Sequence, residues 1–164
     1  MNKDEIYWDY IKIGVVILSI LSPFLYMVIA QELLPSLSSY WRTPAQPLFV
    51  ITNASVSYFL FNVKGWRASS VLLLLLTAFS IDYFPITHNV LAVFFFLCNL
   101  YPMLTIKRGR NYIFPYLGIG VFGVFGILWY EIAAILVISF YHGSILLTKI
   151  KIERERSSEI GNQD

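Results

Sequence analysis

The sequence predicts an all-α protein that crosses a membrane six times, and three observations carry that prediction. First, 57% of the 164 residues are hydrophobic and 17% are aromatic, whereas only 13% are charged. A soluble domain has about 25% charged residues, so this chain has too few to cover a surface that faces water. Second, the apolar residues form blocks long enough to cross a bilayer. Third, almost all the cations fall on one side of the topology that these blocks imply.

The first two spans are separated by a polar loop. The first apolar block runs from about Ile11 to Gln31, and the second runs from about Pro47 to Val63. The first block lacks a cleavage pattern of small residues, so we expect a membrane span there and not a signal peptide. The interval from Glu32 to Pro47 is the longest polar stretch between two apolar blocks. We expect this loop to cover any site that the protein has.

The two later apolar blocks are each too long for a single crossing. Residues 68–106 and residues 111–149 are 39 residues each. One helix of that length would extend about 58 Å, whereas the bilayer core is about 30 Å thick. We expect the first block to turn at Asp82–His88, which holds a proline and two ionisable groups. We expect the second to turn at Glu131, the only full charge in its interior.

The distribution of positive charge predicts the orientation. Six spans place both termini on the same side of the membrane. Eleven of the twelve lysine and arginine residues fall on that side, and only Arg42 falls on the other. Because cytoplasmic loops carry the excess of lysine and arginine, we expect both termini to lie in the cytoplasm, with the chain in a bacterial inner membrane. Residues 1–150 are then the six-span domain, and residues 151–164 are a charged cytoplasmic tail.

This topology brings the polar residues of three loops to the outer face, where we expect a polar cap that binds a ligand. Its predicted members are Glu32, Ser38, Tyr40, Arg42, Thr43, Asp82, His88 and Glu131. Ionisable groups in or near a membrane are costly, which makes them candidates for function. Arg42 is the one cation of the cap, so we expect it to pair with Glu131 or, failing that, with Asp82.

No motif in the sequence names a reaction, and three functions stay open. The leading prediction is that the cap binds a membrane lipid or another membrane protein. One alternative is a membrane-embedded lipid hydrolase or transferase that uses His88 with Asp82 or Glu131. A serine hydrolase would need His88 beside a serine of the first loop, and the sequence has no nucleophile elbow. The other alternative is a pore formed by a homo-oligomer of the chain.

The residues give no reason to expect a cofactor, a metal ion or a nucleic acid. A protein metal site uses three or four ligands, and no spacing signature joins Asp82, His88 and Glu131. The net charge of +2 is too small to indicate nucleic-acid binding. The other histidine, His142, is predicted to bond to a neighbouring span. It lies eleven residues after Glu131, which returns to nearly the same angle of a helix, so both are expected on one seam.

One segment resembles a known motif. Residues 38–50 read Ser-Ser-Tyr-Trp-Arg-Thr-Pro-Ala-Gln-Pro-Leu-Phe-Val, which resembles the pattern S-A-Y-Y-H-T-P-x-R-D-V-F-V-G of small uncharacterised bacterial membrane proteins. Further similar pieces extend the resemblance over about residues 34–145. The matching positions are Ser38, Tyr40, Thr43, Pro44, Phe49, His88 and Glu131. Arg42 stands where the family has histidine, and Gln46-Pro47 stands where it has Arg-Asp. The resemblance implies a multi-pass membrane fold and no particular activity.

Overall fold

Helices make up most of the chain. The computed structural model describes residues 3–105, 110–119 and 126–161. Within these ranges the helices are α1 (Lys3–Ala30), α2 (Gln46–Phe61), α3 (Arg67–Ala78), α4 (Pro85–Thr105), α5 (Arg110–Gly118) and α6 (Ile127–Gly161), with a 3₁₀ helix (Leu37–Arg42) between α1 and α2. All the regular secondary structure of the described residues is helical, which confirms the all-α prediction.

Three of the helices are long and apolar enough to cross a membrane. Among the described residues these segments are Tyr7–Ala30 in α1, Pro85–Thr105 in α4 and Ile127–Glu155 in α6. The other three helices, α2, α3 and α5, have 16, 12 and 9 residues. As described, these helices extend about 24, 18 and 14 Å, which is less than a hydrocarbon core of about 30 Å. The three long apolar helices indicate a membrane protein.

The helices form a closed ring in chain order. Each helix packs against the next one, and α6 packs against α1. At one end of the ring the start of α1 lies beside the end of α6: Lys149 Nζ donates to Asp9 Oδ2 at 2.7 Å, and Arg154 donates to the Tyr10 hydroxyl at 3.2 Å. We name this the terminal end. The opposite end, which carries the 3₁₀ helix, is the cap end.

Two buried serines join α2 to α3. Ser57 Oγ donates to the carbonyl of Ser70 at 2.8 Å, and Ser70 Oγ donates to the carbonyl of Ser57 at 2.8 Å. Small hydroxyl residues let helix backbones approach closely in a membrane protein. The connection between these two helices contains Gly65 at φ +89°, a left-handed conformation that glycine adopts readily. The two helices therefore pack as a tight hairpin.

A hydrophobic cluster holds the 3₁₀ helix on the cap end of the ring. Its buried members are Tyr26, Leu37, Tyr40, Ala45, Phe49, Leu128 and Ile132, which come from α1, the loop before α2, α2 itself and α6. Each buried aliphatic or aromatic side chain contributes about 1.5–3 kcal/mol relative to an exposed one. The cluster thus fixes the loop in which most of the predicted site residues lie.

α6 begins before Glu131, so the predicted turn at this residue is wrong. Glu131 lies in the second turn of α6, which starts at Ile127. Gly126 precedes the helix at φ +118°, in the left-handed region, where glycine is the residue with the least strain. The first turn is held by a hydrogen bond from Leu128 N to Pro35 O at 3.0 Å. A single carboxylate does not require a turn, because a helix accommodates the Glu131 side chain when a neighbouring segment supplies a hydrogen-bond donor for it.

The charged segment after residue 150 does not form a separate tail at its start. α6 continues through this point to Gly161. Lys151 lies 3.8 Å from Glu155, and Lys149 lies 3.5 Å from Glu153. Such pairs, four residues apart on one helix face, stabilise a helix by about 0.2–0.5 kcal/mol each. The predicted charged tail therefore starts as a continuation of α6.

Candidate binding site at the cap end

Glu131 holds the 3₁₀ helix by a hydrogen bond to its first backbone amide. Leu37 N donates to Glu131 Oε2 at 2.6 Å. The first amide groups of a helix have no partner within the helix, and Leu37 is buried, so an acceptor from elsewhere is needed. Glu131 supplies it across 94 residues of chain. The carboxylate thereby joins the cap loop to α6 and is fixed at the inner wall of the cap.

Ser38 and His88 form a hydrogen-bonded pair whose direction is set by a third group. Ser38 Oγ lies 2.7 Å from His88 Nε2, and His88 Nδ1 lies 2.7 Å from the carbonyl oxygen of Phe79. A carbonyl oxygen only accepts, so in the neutral imidazole Nδ1 carries the proton and Nε2 accepts from the serine hydroxyl. His88 is 4% exposed, which keeps its ring in this orientation. The arrangement is a serine beside an oriented base.

Tyr40 and Thr43 use their hydroxyl groups for hydrogen bonds that fold the loop. The buried Tyr40 hydroxyl donates to Glu32 O at 3.1 Å and accepts from Leu34 N at 3.2 Å. Thr43 Oγ1 donates to Tyr40 O at 2.9 Å and accepts from Ala45 N at 3.1 Å. Both hydroxyl groups thus use a donor and an acceptor function within the loop. Their role in this geometry is to shape the cap.

Arg42 pairs with Asp82, not with Glu131. Arg42 Nε lies in direct ion-pair contact with Asp82 Oδ2. The first predicted partner is therefore wrong, and the second one is correct. The physical reason is that Glu131 points inward to Leu37, whereas Arg42 ends the 3₁₀ helix with a side chain that is 67% exposed. The pair connects the cap loop to the turn between α3 and α4 at the rim of the site.

Glu32 does not join the other cap residues through its side chain. It is exposed at the start of the segment that follows α1. Its backbone carbonyl accepts the Tyr40 hydroxyl, which is a contact that any residue type would provide. That its carboxylate contributes to the cap stays a prediction.

Ser38, His88 and Glu131 line a pocket of about 590 Å³ that opens at the cap end. Its other walls come from the cap loop, from α4 and from the start of α6: Pro35, Ser36, Ser39, Ile81, Asn89, Ala92, Val93, Phe96, Leu97, Ile127 and Tyr130. Glu131 is the one acidic or basic residue among these described lining residues apart from the histidine. The pocket therefore combines one carboxylate and several hydroxyl groups with an apolar wall.

A second cavity of about 100 Å³ continues from the same three residues into the ring. Ser38, His88 and Glu131 line both spaces. The inner cavity adds hydroxyl and amide groups from α1 and α2, which are Ser19, Ser22, Thr52 and Asn53. These polar positions were not predicted as site residues. In the sequence they stand out only as polar residues within apolar helices. Such residues usually form contacts between helices, so this pattern does not identify a site.

Metal binding has no support in the described part of the chain. No group of three or more His, Cys, Asp or Glu side chains lies close enough there to hold a metal ion. Asp82 is occupied by Arg42, and both ring nitrogens of His88 have protein partners. Asp82 and His88, and also Glu131, which accepts from Leu37 N, therefore all have partners within the protein.

Comparisons with models of protein families, with curated protein sequences and with solved structures find no match to this chain. The resemblance of residues 38–50 to small bacterial membrane proteins stays a prediction. The site is accordingly interpreted from its own geometry and chemistry.

Proposed function

We propose that this protein binds a membrane lipid in the cap-end pocket, with a headgroup that donates hydrogen bonds. The observation that carries the proposal is a single pocket that has a carboxylate at its inner end and an apolar wall. A lipid has the same two parts, a polar headgroup and hydrocarbon chains. Sites for small molecules typically combine a mostly apolar lining with a few convergent polar groups.

The polar end of the pocket favours a headgroup with an amine or a hydroxyl. Among the described residues, Glu131 accepts one hydrogen bond, from Leu37 N to Oε2, so its other oxygen is available as an acceptor. His88 has a donor in Ser38 and an acceptor in Phe79 and needs no ligand. A carboxylate acceptor prefers a cationic or neutral donor over an anion, because opposite charges attract and like charges repel. We therefore assign the pocket to an amino or hydroxyl headgroup.

The apolar end of the pocket favours acyl chains. Val93 and Leu97 on α4 are 59% and 57% exposed, and Ile127 at the start of α6 is 64% exposed. On a membrane protein, exposed aliphatic side chains of this kind face hydrocarbon. A chain that follows these residues along α4 would remain in the bilayer while the headgroup reaches Glu131. This supports a lipid as the occupant more than a soluble ligand.

We also propose that the six helices form one membrane bundle with both termini in the cytoplasm. The two ends of the ring differ as the predicted topology requires. The start of α1 and the end of α6 lie together at the terminal end, which supports an even number of crossings. The cap end contains Arg42, whereas the described basic turn with Lys64 and Arg67 lies at the other end of α2, which supports a cap that faces outward. The site then opens to the outer half of the bilayer.

Native mass spectrometry of the detergent-solubilised protein tests the lipid site. The protein is incubated with phosphatidylethanolamine, which carries an amine, or with phosphatidylcholine, whose headgroup has no donor. We expect more phosphatidylethanolamine to be retained, and we expect Glu131→Gln to reduce that retention. Glu32→Gln is the matched control, because it also removes a carboxylate near the cap but not one that lines the pocket. Equal retention of both lipids, or equal loss in both variants, would overturn the proposal. The same spectra show whether the chain is a homo-oligomer.

Cysteine labelling tests the orientation. In a Cys98→Ala background, Tyr83→Cys places a thiol in an exposed position at the cap end, and Lys64→Cys places one in an exposed position between α2 and α3. A reagent that does not cross membranes should label position 83 on intact cells and position 64 only after the membrane is opened. Labelling of position 64 on intact cells would contradict the proposed orientation.

A second candidate function is a serine hydrolase or transferase that acts on a lipid ester in the same pocket. The observation that favours it is the 2.7 Å contact from Ser38 Oγ to His88 Nε2, with Nδ1 oriented by the Phe79 carbonyl. A serine needs an adjacent base that is itself oriented by a third group to become a nucleophile. In such a reaction His88 would take the hydroxyl proton as Ser38 Oγ attacks the ester carbonyl.

A fluorophosphonate probe, which modifies activated serines, separates the enzyme from the binding protein. Covalent labelling that is lost in Ser38→Ala and in His88→Ala, but kept in Ser39→Ala, would favour the hydrolase. Ser39 is the matched control, because it is the neighbouring serine and its hydroxyl bonds to Ser36 at 2.9 Å. No labelling of the native protein, together with retained phosphatidylethanolamine, would favour binding alone.

A further inference from the structure

Three ionisable residues lie along one face of α6, from the cap end to the terminal end. They are Glu131, His142 and Lys149. At about 100° per residue, an offset of eleven residues returns to within about 20° of the starting angle, and an offset of eighteen completes five turns. Eighteen residues rise about 27 Å, which is close to the thickness of a bilayer core of about 30 Å. This face of α6 thus has Glu131 near one end, Lys149 near the other end and His142 between them.

Three cavities follow this face through the ring. The first is the inner cavity of about 100 Å³ at Glu131, already described. The second is a narrow void of about 20 Å³ that His142, Ser139 and Ser19 help to line. The third is an open cavity of about 470 Å³ at the terminal end, lined by Asp9 and Lys149 among others. The spaces therefore occur in the same order as the three ionisable residues of α6.

Consecutive cavities share their walls. Ser19, Leu60 and Ile138 line both the first and the second cavity. Val15 and Phe59 line both the second and the third. The side chains that line two neighbouring spaces thus lie between them. The three spaces lie in series between α1, α2 and α6, and we name this series the passage.

The narrow void has polar groups that suit one water molecule. A void of at least about 10–15 Å³ accommodates one water molecule, and this void measures about 20 Å³. Ser139 Oγ donates to Ser19 Oγ at 3.1 Å across the passage from α6 to α1. His142 is 4% exposed, and its Nε2 has no hydrogen-bond partner within the described structure. A buried polar atom without a partner costs about 1–3 kcal/mol, and a water or a proton donor in the void would remove that cost.

His142 itself is held by rings and not by hydrogen bonds at Nε2. The ring centroid lies 4.4 Å from that of Trp66 and 5.1 Å from that of Phe59, both in edge-on geometry. Nε2 therefore does not supply the hydrogen bond to a neighbouring span that was expected for His142. The two aromatic side chains fix the imidazole position and leave one nitrogen for the passage.

The terminal end of the passage closes on an ion cluster. Asp9 Oδ2 accepts from Lys149 Nζ at 2.7 Å, and Asp9 Oδ1 accepts from Lys12 Nζ at 2.9 Å. Asp9 is 1% exposed, whereas the two lysines are 34–47% exposed. The cluster therefore joins a buried carboxylate to groups that reach water. This cluster was not predicted from the sequence, in which the three-residue spacing of Asp9 and Lys12 was its one local signal.

We propose that this passage conducts protons across the membrane, between Glu131 at the cap end and the Asp9–Lys149 cluster at the terminal end, with His142 as the relay between them. A proton enters at the Glu131 carboxylate and passes by way of water and the hydroxyl groups of Ser19 and Ser139. His142 accepts a proton at Nε2, which gives the imidazolium, and then releases a proton from the same nitrogen to the next water, which restores the starting tautomer. The void at His142 is too narrow for a hydrated sodium or potassium ion, which restricts the passage to protons and single waters.

Proton flux into liposomes tests the proposal. The purified protein is reconstituted into vesicles that contain a pH-sensitive dye, and a potassium gradient with valinomycin sets the membrane potential. We expect the dye to report faster proton entry than in protein-free vesicles. We expect His142→Gln, which keeps a polar side chain but cannot relay a proton, to lose the protein-dependent flux entirely. Ser144→Ala is the matched control on the same helix, since Ser144 bonds to its own helix and lines none of the three cavities.

A second variant and a second ion make the result decisive. Ile138→Phe adds volume at the wall that the first and second cavities share, and it should also abolish the flux while His142 is intact. If the native protein moves protons no faster than protein-free vesicles, or if both variants keep the native rate, the proposal is wrong. Sodium entry at a comparable rate would also overturn it, because it would show an unselective leak. Lipid retention, measured separately, distinguishes failure of this proposal from failure of the lipid site.

Discussion

Replacement of Glu131 by alanine should destabilise the protein by releasing the cap from α6. The variant removes the acceptor of the Leu37 amide, which is 2.6 Å from Glu131 Oε2 in a buried position. A buried donor without a partner costs about 1–3 kcal/mol. For a chain of 150–250 residues, 1 kcal/mol corresponds to about 2–4 °C in Tm, so we expect a decrease of roughly 2–12 °C. Glu131→Gln retains an oxygen that accepts from the amide, and its decrease should be smaller than that of the alanine variant.

Thermal unfolding in one detergent, followed by the fluorescence of the four tryptophans, measures this effect. Glu32→Ala is the control. Its carboxylate is exposed and lies beside the same loop. Substitutions at such surface positions are usually within about 0.5 kcal/mol of the parent. The structural reasoning is refuted if Glu131→Ala lowers Tm no more than Glu32→Ala, because the amide would then have water or another group as its partner.

Two further predictions concern the rim of the cap and the start of α6. A double-mutant cycle of Arg42→Ala and Asp82→Ala should give a coupling energy of about 0.2–1 kcal/mol. The reason is that the arginine side chain is 67% exposed, so water screens the pair. A coupling energy above about 2 kcal/mol would mean that the pair is buried. Gly126→Ala should destabilise by about 1–3 kcal/mol, since Gly126 has φ +118°. Gly118→Ala, at a helical position where an added Cβ meets no described atom within 4 Å, should leave Tm unchanged or slightly raised. Equal effects of the two alanines would show that the backbone at position 126 is not strained.

The cap shows how far the sequence could predict the site. The sequence placed Ser38, His88 and Glu131 at one face of the bundle, and the structure brings all three to one pocket. It also gave Asp82 as the second choice of partner for Arg42, which is the pair that forms. It did not distinguish residues that face the pocket from those that shape the loop, such as Tyr40. Both kinds are polar, and which way a hydroxyl points depends on backbone geometry that composition does not contain.

The passage through the ring depends on contacts between residues that are far apart in the sequence, and such contacts could not be predicted from it. Asp9 and Lys149 are 140 positions apart, and Ser19 and Ser139 are 120 apart. No local pattern relates such pairs. They meet because α6 closes the ring against α1, and that closure depends on the packing of all the helices between them.

The sequence by itself determined the class of secondary structure, the membrane setting of the long apolar helices and the candidate polar residues near the cap. These properties depend on quantities that are local along the chain: the length of an apolar block, its composition, and the polar residues that stand between blocks. The tertiary structure alone decided that Glu131 lies inside α6, that its partner is the amide of Leu37, and that Ser38 meets His88. Backbone amides and carbonyls occur at nearly every residue and leave no mark in a sequence. Which of them lacks a partner, and which side chain reaches it, is fixed only when the helices pack.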